Sequence, residues 1–504
     1  MSNVRVRFAP SPTGYLHVGG LRTALYNYLF AKKNNGTFIL RIEDTDQKRF
    51  VAGAAENLIK TLSAMGIQHD EGIFLSGDTL ISKGECGPYA QSERLEIYKT
   101  HIKKLIDSHK AYYCFCSVGR LAALREEQIQ NKLSAKYDKF CLSLSPEAIE
   151  ESLAANEPYV VRLNVDENRG DIVFEDTVRG KVTIHAKDVD DQVLIKSDGF
   201  PTYHLAVVID DHLMGITHVI RGDEWISSTP KHVLLYEAFG WEAPVFAHLP
   251  LLLNPDKSKL SKRQGDVAAE DYLEKGYLKE TLINFVALLG WNPGQGNTQE
   301  IFSLDELVER FDLAQVHKAG AVFDLKKLDW MNTEYVKRLT PEELYERGMP
   351  FLEVKEFYKA WNSQQSTINE EEKIEFVKRV LTIERERLTK LSDIGDNNPF
   401  FFVSELSYDA ALLHWKQNAK EMTKEALEKA HKILSGLNDT DWVKKETIEK
   451  VLMEAAGEQR GDFLWPLRVA LTGAQRSPSP FEVAWVLGKD ASLKRLEKAI
   501  KLVS

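Results

Sequence analysis

The order of secondary structure at the N-terminus constrains the fold of this chain more than any other feature. Residues 4–8 alternate apolar and basic side chains, which is typical of a strand, and Ala9–Gly14 is rich in loop-forming residues. Apolar residues then recur at helical spacing over 18–33, and the apolar run 38–42 predicts a buried strand. Strand, loop, helix and strand form a βαβ unit, which starts a parallel sheet whose ligands bind beyond the carboxyl ends of the strands.

A second block of α/β character lies further along the chain. Its predicted strands are Val193–Ile195, Ile216–Ile220 and Phe246–Leu253. Lys231–Phe239 is a predicted helix, with Thr229 as the N-cap, Pro230 as the first helical residue and Gly240 as the stop. Charged helical stretches and short β segments separate the two blocks. They indicate an insertion that divides one open sheet into two halves.

After about residue 266 the strand signals fade and amphipathic helical patterns take over. The predicted helical segments are 280–290, 304–311, 341–362, 371–392, 424–437 and 445–456. We therefore predict an α/β plus all-α chain, in which a split Rossmann-type parallel sheet with an insertion precedes mainly helical domains. The predicted boundaries are 1–109 and 191–255 for the two halves of the sheet domain, 110–190 for the insertion, 256–332 for a following loop and domain, and 333–504 for the helical end.

Composition excludes several classes of protein. The 504 residues, 43% of them hydrophobic, exclude a disordered chain and suit roughly three or four domains. A net charge of −10 excludes a wholly basic nucleic-acid coat, although a local basic face remains compatible with it. Four cysteines are too few for a disulfide scaffold and indicate a reducing compartment. Because we find no secretory signal and no long apolar run, we expect a cytoplasmic protein without membrane contact.

Two loops at the predicted sheet edge suit a polyphosphate. His17–Gly20 opens the first predicted helix, where glycines let phosphates approach backbone N–H groups and the helix dipole favours an anion. Asp256–Gly265 follows the last predicted strand and is rich in cations and hydroxyls. Each loop alone has a simpler interpretation, a turn with an exposed histidine or a solvated charge run. Both loops together, each after a strand of a split sheet, favour a nucleotide site.

With these two loops the chain resembles the class I aminoacyl-tRNA synthetases. His17–Gly20 is similar to their HIGH signature and Lys259–Arg263 to their KMSKS signature. Gly20 and Arg263 depart from the last residue of each signature, which leaves Lys262 in place. Over essentially the whole chain the sequence resembles the bacterial-type glutamyl-tRNA synthetases. The segments that carry this resemblance are Arg7–Gly14, Leu40–Asp46, Gly87–Arg94, Asp198–His204, Val219–Trp225, Leu464–Arg468 and Leu471–Gly473.

The resemblance implies ATP-dependent ligation of L-glutamate to the 3′ end of tRNA(Glu), through a glutamyl-adenylate that forms with release of pyrophosphate. The attacking carboxylate is already ionised at neutral pH, so the enzyme must position the reactants and stabilise charge on phosphorus rather than supply a base. His17 and Lys262 are the expected catalytic residues. The ATP-binding residues implied by the resemblance are His17, Gly19, Gly20, Glu224, Lys259, Ser261 and Lys262. Magnesium is expected to arrive with ATP.

Charged residues at strand ends suit the amino acid. Arg7 and Arg221 each end a predicted strand and offer the planar fork that matches a carboxylate, and Glu43 suits the ammonium. The simpler alternative for each arginine is a surface ion pair. The resemblance implies a glutamate-binding set of Arg7, Ala9, Ser11, Glu43, Tyr203 and Arg221. Val207 stands where many relatives carry asparagine, so the effect of this position on glutamate binding stays open.

The remaining segments are implied to bind tRNA. The resemblance implies that residues 110–190 bind the acceptor end of tRNA, residues 256–332 contact the stem and residues 333–504 bind the anticodon. Arg385 and Arg387, on one predicted helix, are the candidate anticodon readers, and a charged exposed helix face is the alternative.

A zinc site is not expected. Cys114, Cys116 and Cys141 are similar to part of a zinc site in some relatives, but Ser143 stands in the fourth position. Structural zinc takes four ligands, so three thiols leave the set incomplete.

The expected partners are ATP, L-glutamate and tRNA(Glu), bound by a monomer. Four alternatives stay open at this point: a glutamyl enzyme that also charges tRNA(Gln), a glutaminyl enzyme, a nucleotidyltransferase without tRNA, and an inactive tRNA-binding module. The predicted helical C-terminal region argues against a glutaminyl enzyme, which would carry a β-barrel there, and the length of this region argues against a nucleotidyltransferase. Retention of His17 and Lys262 argues against an inactive module.

Overall fold

The computed structural model describes residues 4–46, 48–260, 268–294, 296–365, 369–416 and 418–504. Ser261, Lys262 and Arg263 lie outside the described residues. The chain forms two compact units, Met1–Tyr272 with Leu282–Leu325, and Leu273–Thr281 with Lys326–Ser504. Among the described residues, no helix is both long and apolar enough to cross a membrane.

The described strands are β1 Arg5–Phe8, β2 Thr37–Leu40, β3 Glu71–Ser76, β4 Thr79–Lys83, β5 Ala111–Cys114, β6 Val160–Leu163, β7 Asp171–Asp176, β8 Gly180–His185, β9 Val193–Ile195, β10 His218–Gly222, β11 Val245–Leu249, β12 Leu252–Leu253 and β13 Ala321–Val322. The described helices are α1 Val18–Lys33, α2 Ala54–Ala64, α3 Leu95–Asp107, α4 Val118–Gln130, α5 Pro146–Ala154, α6 Tyr203–Leu213, α7 Thr229–Phe239, α8 Ala269–Glu274, α9 Lys279–Ala287, α10 Leu304–Arg310, α11 Leu325–Arg338, α12 Pro341–Leu352, α13 Glu356–Gln364, α14 Glu370–Glu384, α15 Lys420–Ser435, α16 Lys445–Ala456, α17 Arg460–Thr472 and α18 Pro480–Leu502.

The predicted βαβ unit is confirmed. β1 pairs parallel with β2, which pairs parallel with β3, and α1 connects the first two strands. The helix forms because Leu21, Leu25 and Leu29 recur on one face, and all three are fully buried.

The sheet is split, as predicted. β10 and β11 form the second parallel pair, and β10 lies beside β1. Just before β10, the backbone N–H of Thr217 donates to the carbonyl oxygen of Arg5 at 2.9 Å. The Arg5 N–H in turn donates to the Thr217 hydroxyl at 2.9 Å. Residues more than 200 positions apart therefore bring the two halves of the sheet together.

Two elements lie in different sheets from those expected. β9 was expected in the second half of the parallel sheet, but it pairs antiparallel with β6, which pairs antiparallel with β5. The hairpin β7–β8, expected within the insertion, instead joins the sheet of β10 and β11 through a parallel bridge between Asp176 and Phe246. Short apolar strands fit either sheet by pattern alone, so their pairing depends on distant partners.

The start of α7 also differs from the prediction. Its N-cap is Ser228, and Thr229 lies in the first turn of the helix. The Thr229 hydroxyl donates to the carbonyl oxygen of Trp225 at 3.1 Å and accepts from Arg221 at 2.9 Å. The end of the helix is as predicted, since Gly240 takes the left-handed conformation with φ of 71°.

The second unit is helical, as predicted, but two of its elements are shorter than expected. The segment 341–362 is two helices, α12 and α13, and α14 ends at Glu384 instead of continuing to residue 392. The buried Glu384 carboxylate accepts from the Gly395 N–H at 3.0 Å and from the Asn398 amide at 2.9 Å, which holds the returning chain against the helix end. The prediction that Arg385 and Arg387 lie on this helix was therefore wrong.

Candidate active site

A cleft of about 1020 Å³ opens at the carboxyl ends of β1, β2 and β10. It lies where the two halves of the parallel sheet adjoin, which is the place that an open α/β sheet provides for a ligand. The predicted site residues that line it are Arg7, Ala9, Ser11, His17, Gly19, Gly20, Glu43, Tyr203, Arg221 and Glu224. Residues from both halves of the split sheet thus meet in one cavity.

One predicted ATP residue of the described part of the chain, Lys259, is not among the residues that line the cleft. Lys259 is exposed and lies in the turn after β12. Ser261 and Lys262 lie outside the described residues, so their predicted roles stay predictions. Val207 is buried on α6 and is not among the residues that line the cleft.

The amino end of α1 faces this cleft. His17 is the N-cap, and its Nδ1 accepts a hydrogen bond from the Gly19 N–H at 2.9 Å. An accepting Nδ1 carries no proton, so in the neutral ring the proton sits on Nε2. Gly19 and Gly20 leave the helix start without side chains, and a Cβ added at Gly20 would lie 3.1 Å from Leu16. The arrangement leaves room for an anion at the positive end of the helix.

The described residues that flank 261–267 lie near this helix start. On the amino side, Lys259 forms an antiparallel bridge with Leu253, and a Cβ added at Gly19 would lie 3.8 Å from the side chain of the neighbouring Leu252. On the carboxyl side, Ala268 forms an antiparallel bridge with His17, and the Ala269 N–H donates to the carbonyl oxygen of Leu16 at 2.9 Å. The predicted pairing of the two nucleotide loops is therefore supported by the described residues on both sides of residues 261–267.

Arg7 is already paired with a carboxylate. Its Nε and Nη2 donate to the two oxygens of Asp211 at 3.0 and 3.2 Å. Arg41 donates to Asp211 at 2.8 Å and to Glu43 at 2.9 Å, and all four side chains are buried. Burial acts to raise the pKa of Asp211, but Arg7 and Arg41 hold it below its ordinary value. For Glu43, burial outweighs Arg41 and the pKa is raised.

A second buried carboxylate stands next to this group. Asp210 accepts from Arg94 Nε at 2.7 Å, from the Gln91 amide at 2.9 Å and from the Tyr98 hydroxyl at 2.9 Å. The three hydrogen bonds to Asp210 fix α6 against the start of α3.

Arg221 has a different environment. It is 5% exposed, and its partners are all uncharged side chains. Nε donates to His248 Nε2 at 3.1 Å, and Nη1 donates to the Tyr203 hydroxyl at 3.1 Å. Nη2 contacts the Thr229 hydroxyl at 2.9 Å and His232 Nδ1 at 3.2 Å. Among the described residues, no carboxylate lies within ion-pair distance of this guanidinium.

Burial keeps the three histidines around Arg221 neutral. It lowers the pKa of His204 to about 4 and also lowers that of His248. It lowers the pKa of His232 well below its ordinary value, with a further contribution from Arg221. At neutral pH the cation is therefore surrounded by polar groups that carry no charge.

Several of these residues were missed by the sequence analysis. Asp210 and Asp211 interrupt an otherwise apolar helix, and His248 interrupts an apolar strand. A charged or polar residue inside an apolar run is the signal that could have found them, because such groups are buried only when they have partners. The identity of the partners, however, depends on contacts with residues that lie up to 204 positions away along the chain.

In the helical unit, Arg385 and Arg387 line a separate pocket of about 490 Å³. Lys444, Lys445 and Trp485 share this pocket. Arg385 Nη1 donates to the carbonyl oxygen of Leu339 at 3.0 Å, and Arg387 is exposed.

The three cysteines form a cluster in the first unit. Their sulfur atoms lie within 4.8 Å of one another, and no other histidine, cysteine, aspartate or glutamate of the described residues joins them. The Tyr137 hydroxyl lies 3.2 Å from Cys116 Sγ, while the Ser143 hydroxyl donates to the carbonyl oxygen of Phe140 at 2.9 Å. This donor set has three ligands and does not fit the four that structural zinc takes.

Comparison with known proteins gives a consistent result over the whole chain. Residues 3–330 match the family model of tRNA synthetases class I (E and Q), catalytic domain, and residues 343–500 match that of an anticodon binding domain. The chain is 47% identical over 502 residues to the glutamate–tRNA ligase of Alkaliphilus metalliredigens, with 99% of both chains covered. It is 46% identical over 505 residues to that of Clostridioides difficile, with 98% of both covered. A crystal structure of a glutamate–tRNA ligase from Elizabethkingia meningosepticum, in complex with its amino acid, superimposes with a TM-score of 0.84 at 38% identity, with 100% of each chain covered.

Proposed function

The chain belongs to the glutamate–tRNA ligase family of class I tRNA synthetases, and we propose that its cleft joins L-glutamate to tRNA(Glu) in two steps. The resemblance inferred from the sequence is thereby confirmed, and the glutaminyl and non-discriminating alternatives are not favoured. In the first step a glutamate carboxylate oxygen bonds to the α-phosphorus of ATP and pyrophosphate leaves. In the second, a hydroxyl of the terminal adenosine of tRNA attacks the acyl carbon and AMP leaves.

One observation carries this proposal: Arg221 is a buried cation at the cleft wall without an anionic partner among the described residues. Burying a charge is costly unless an opposite charge compensates it. A carboxylate of glutamate supplies that charge and matches the fork of the guanidinium. The Tyr203 ring, whose centroid lies 4.1 Å from that of Trp225, holds its hydroxyl against Arg221 and forms part of the same wall.

Glu43 is the proposed ligand of the substrate ammonium. It ends the segment after β2, lines the cleft and receives a hydrogen bond from Arg41 on one oxygen. Arg7 borders the same space, but its Nε and Nη2 are oriented by Asp211. We propose that Arg7 contributes its remaining N–H groups to a carboxylate, and that Ala9 and Ser11 shape the wall beside it.

ATP is proposed to bind at the amino end of α1. Gly19 and Gly20 expose the helix start, and the Nε2 proton of neutral His17 suits a phosphate oxygen. Glu224 lies at the cleft rim and suits the adenosine hydroxyls, since an ionised carboxylate is an acceptor. Lys262, with Lys259 and Ser261, is proposed to stabilise the negative charge that develops on the phosphates.

Magnesium is proposed to enter as part of the ATP substrate, as the family generally requires. Three thiols, with a tyrosine hydroxyl beside one of them, do not make a zinc site, so we propose that the enzyme works without zinc.

The helical unit is proposed to bind the anticodon. The pocket of Arg385 and Arg387 combines cations with the ring of Trp485, and unstacked bases are recognised by aromatic stacking and by arginine. We propose that residues 110–190 bind the acceptor end and 256–332 the stem, with 333–504 reading the anticodon. A monomer in the cytoplasm is proposed as the working form.

Replacement of Arg221 tests the proposal. R221A should raise the KM for glutamate about 100-fold, because charge-assisted hydrogen bonds contribute about 1.5–3 kcal/mol each, while the KM for ATP changes little. R221K keeps the charge but loses the fork and should fall between wild type and R221A.

The matched control is R169A, which removes an exposed arginine of the same unit. Each variant is assayed by aminoacylation of purified tRNA(Glu), with tRNA(Gln) in parallel. An unaltered glutamate KM in R221A would place the amino-acid pocket elsewhere, and equal charging of both tRNAs would revive the non-discriminating alternative.

A further inference from the structure

We propose that Asp176 and His204 are positioning residues for glutamate selection. They set the tautomers of His248 and His232, so that both rings accept hydrogen bonds from Arg221 without neutralising its charge. This inference rests on the proposed function, in which Arg221 receives a carboxylate of glutamate.

The first step concerns His248. A guanidinium only donates hydrogen bonds, so His248 Nε2, 3.1 Å from Arg221 Nε, must be the unprotonated nitrogen. The proton of the neutral ring then sits on Nδ1, which lies 2.6 Å from Asp176 Oδ2. Asp176 thus dictates which nitrogen of His248 faces Arg221.

Asp176 is itself held in one orientation. Its Oδ1 accepts from the backbone N–H groups of Val178 at 2.9 Å and Arg179 at 2.7 Å. The carboxylate is buried at the end of β7, and burial acts to raise its pKa. Hydrogen bonds, first of all the one from His248, outweigh this effect and hold the pKa below its ordinary value. An ionised, oriented acceptor therefore faces His248 Nδ1.

The second step concerns His232, which repeats the arrangement on the other side of the guanidinium. Arg221 Nη2 lies 3.2 Å from His232 Nδ1, so this nitrogen accepts and Nε2 carries the proton. His232 Nε2 lies 3.0 Å from His204 Nδ1, which accepts in turn. His204 plays the part here that Asp176 plays for His248.

The consequence is electrostatic. A carboxylate placed directly on Arg221 would orient it equally well but would also cancel its charge, as Asp211 does for Arg7. An imidazole between Asp176 and Arg221 supplies the acceptor and keeps the anion one ring away. Arg179, whose backbone N–H donates to Asp176, pairs through its side chain with Asp223 at 2.9 Å. Arg221 is therefore held rigidly and keeps an attraction for a carboxylate that it lacks for the amide of glutamine.

The variant D176N tests the inference. The backbone N–H groups of Val178 and Arg179 require an acceptor, so the new amide should keep its oxygen there and turn its NH₂ toward His248 Nδ1. His248 must then carry its proton on Nε2, where it opposes the Arg221 Nε–H. We expect the KM for glutamate to rise about 10-fold or more, the effect of replacing one good hydrogen bond by an opposed pair of donors, with the KM for ATP unchanged.

The matched control is E175Q, the same acid-to-amide change one residue earlier on β7, where the side chain is exposed. It should leave the KM for glutamate and the thermal midpoint as in wild type. In selectively ¹⁵N-labelled enzyme, D176N should move the imidazole signals of His248 from the Nδ1–H to the Nε2–H pattern. A purely structural loss would not produce this change.

A second variant keeps the inference testable if D176N folds poorly. In H248Q the side chain has no tautomer to set, so adding D176N to H248Q should raise the glutamate KM no further than H248Q alone.

The inference is overturned if D176N matches E175Q in glutamate KM, or if the effects of D176N and H248Q on that KM add fully. It is also overturned if D176N raises the KM for ATP as much as that for glutamate. An effect of R221A together with no effect of D176N would reject the positioning role alone, whereas no effect of R221A would reject the proposed function.

Discussion

The substitution of Asp211 by asparagine should destabilise the first unit strongly. Asp211 is buried and accepts three hydrogen bonds from two cations, with distances of 3.0 and 3.2 Å to Arg7 and 2.8 Å to Arg41. In D211N Arg41 would keep Glu43 at 2.9 Å and Asp210 at 3.9 Å, whereas Arg7 would lose the carboxylate with which it forms its ion pair among the described residues. Removing one partner of a buried pair costs about 3–5 kcal/mol, and we expect a loss of unfolding free energy in this range.

The measurement is equilibrium unfolding in urea, with hydrogen–deuterium exchange of the peptides that contain β1 and β2 to report on this unit. The matched control is D107N, in which an exposed aspartate with an i,i+4 contact to Lys103 is changed in the same way. Its expected effect is at most about 0.5 kcal/mol. If D211N destabilised the two strands no more than D107N does, Asp211 would not be the group that compensates Arg7 and Arg41.

Three further predictions follow from the site and its surroundings. K262A should reduce aminoacylation about 100-fold or more, the effect of losing an electrostatic donor to the transition state, while filter binding shows nearly unchanged tRNA affinity; full activity would contradict the role given to Lys262. R387A should weaken tRNA binding about 10-fold, whereas K424A, which removes a partly exposed lysine outside the Arg387 pocket, should not. Burial lowers the pKa of His69 and of His204 to about 4, so below pH 6.5 the unfolded chain binds more protons than the folded chain. The unfolding free energy should therefore fall as the pH is lowered from 6.5 to 4, by about 1.4 kcal/mol per pH unit for each histidine. H69Q should make this fall shallower, and a slope equal to that of wild type would contradict the assignment.

The elements of the fold could largely be predicted because their signals are local. The periodicity of α1, the alternation in β1 and the glycine after α7 all act within a few residues. The pairing of β9 and of β7–β8 could not be predicted, since short strands carry no local information about their partners. The end of α14 was missed for the same reason, because it depends on contacts of Glu384 with residues beyond the helix.

The candidate site also has one part that could be predicted from the sequence and another that could not. The residues that line the cleft follow the ends of recognisable strands and helices, so their positions could be found from the sequence. Their protonation and charge compensation could not, because they depend on tertiary contacts: Asp211 lies 204 residues from Arg7, and His248 lies 27 residues from Arg221 on a different strand. Thr229 shows how a tertiary contact overrides a local rule. Its sequence context predicts an N-cap, but its hydroxyl is used at Arg221.

Arg7 and Arg221 both end strands and were both predicted to bind a carboxylate, but their charges are compensated differently. Arg7 and Arg41 are balanced by Asp211 and Glu43, so this group of four carries no net charge, whereas the neutral partners of Arg221 leave one positive charge. Glutamate at neutral pH carries two carboxylates and one ammonium, a net charge of minus one, and glutamine carries none. If Arg221 receives a carboxylate of the substrate as proposed, glutamate would neutralise the described pocket, whereas glutamine would leave a buried cation uncompensated. On this proposal, selection between the two amino acids depends on keeping protein carboxylates away from Arg221 as much as on placing Arg221 in the cleft.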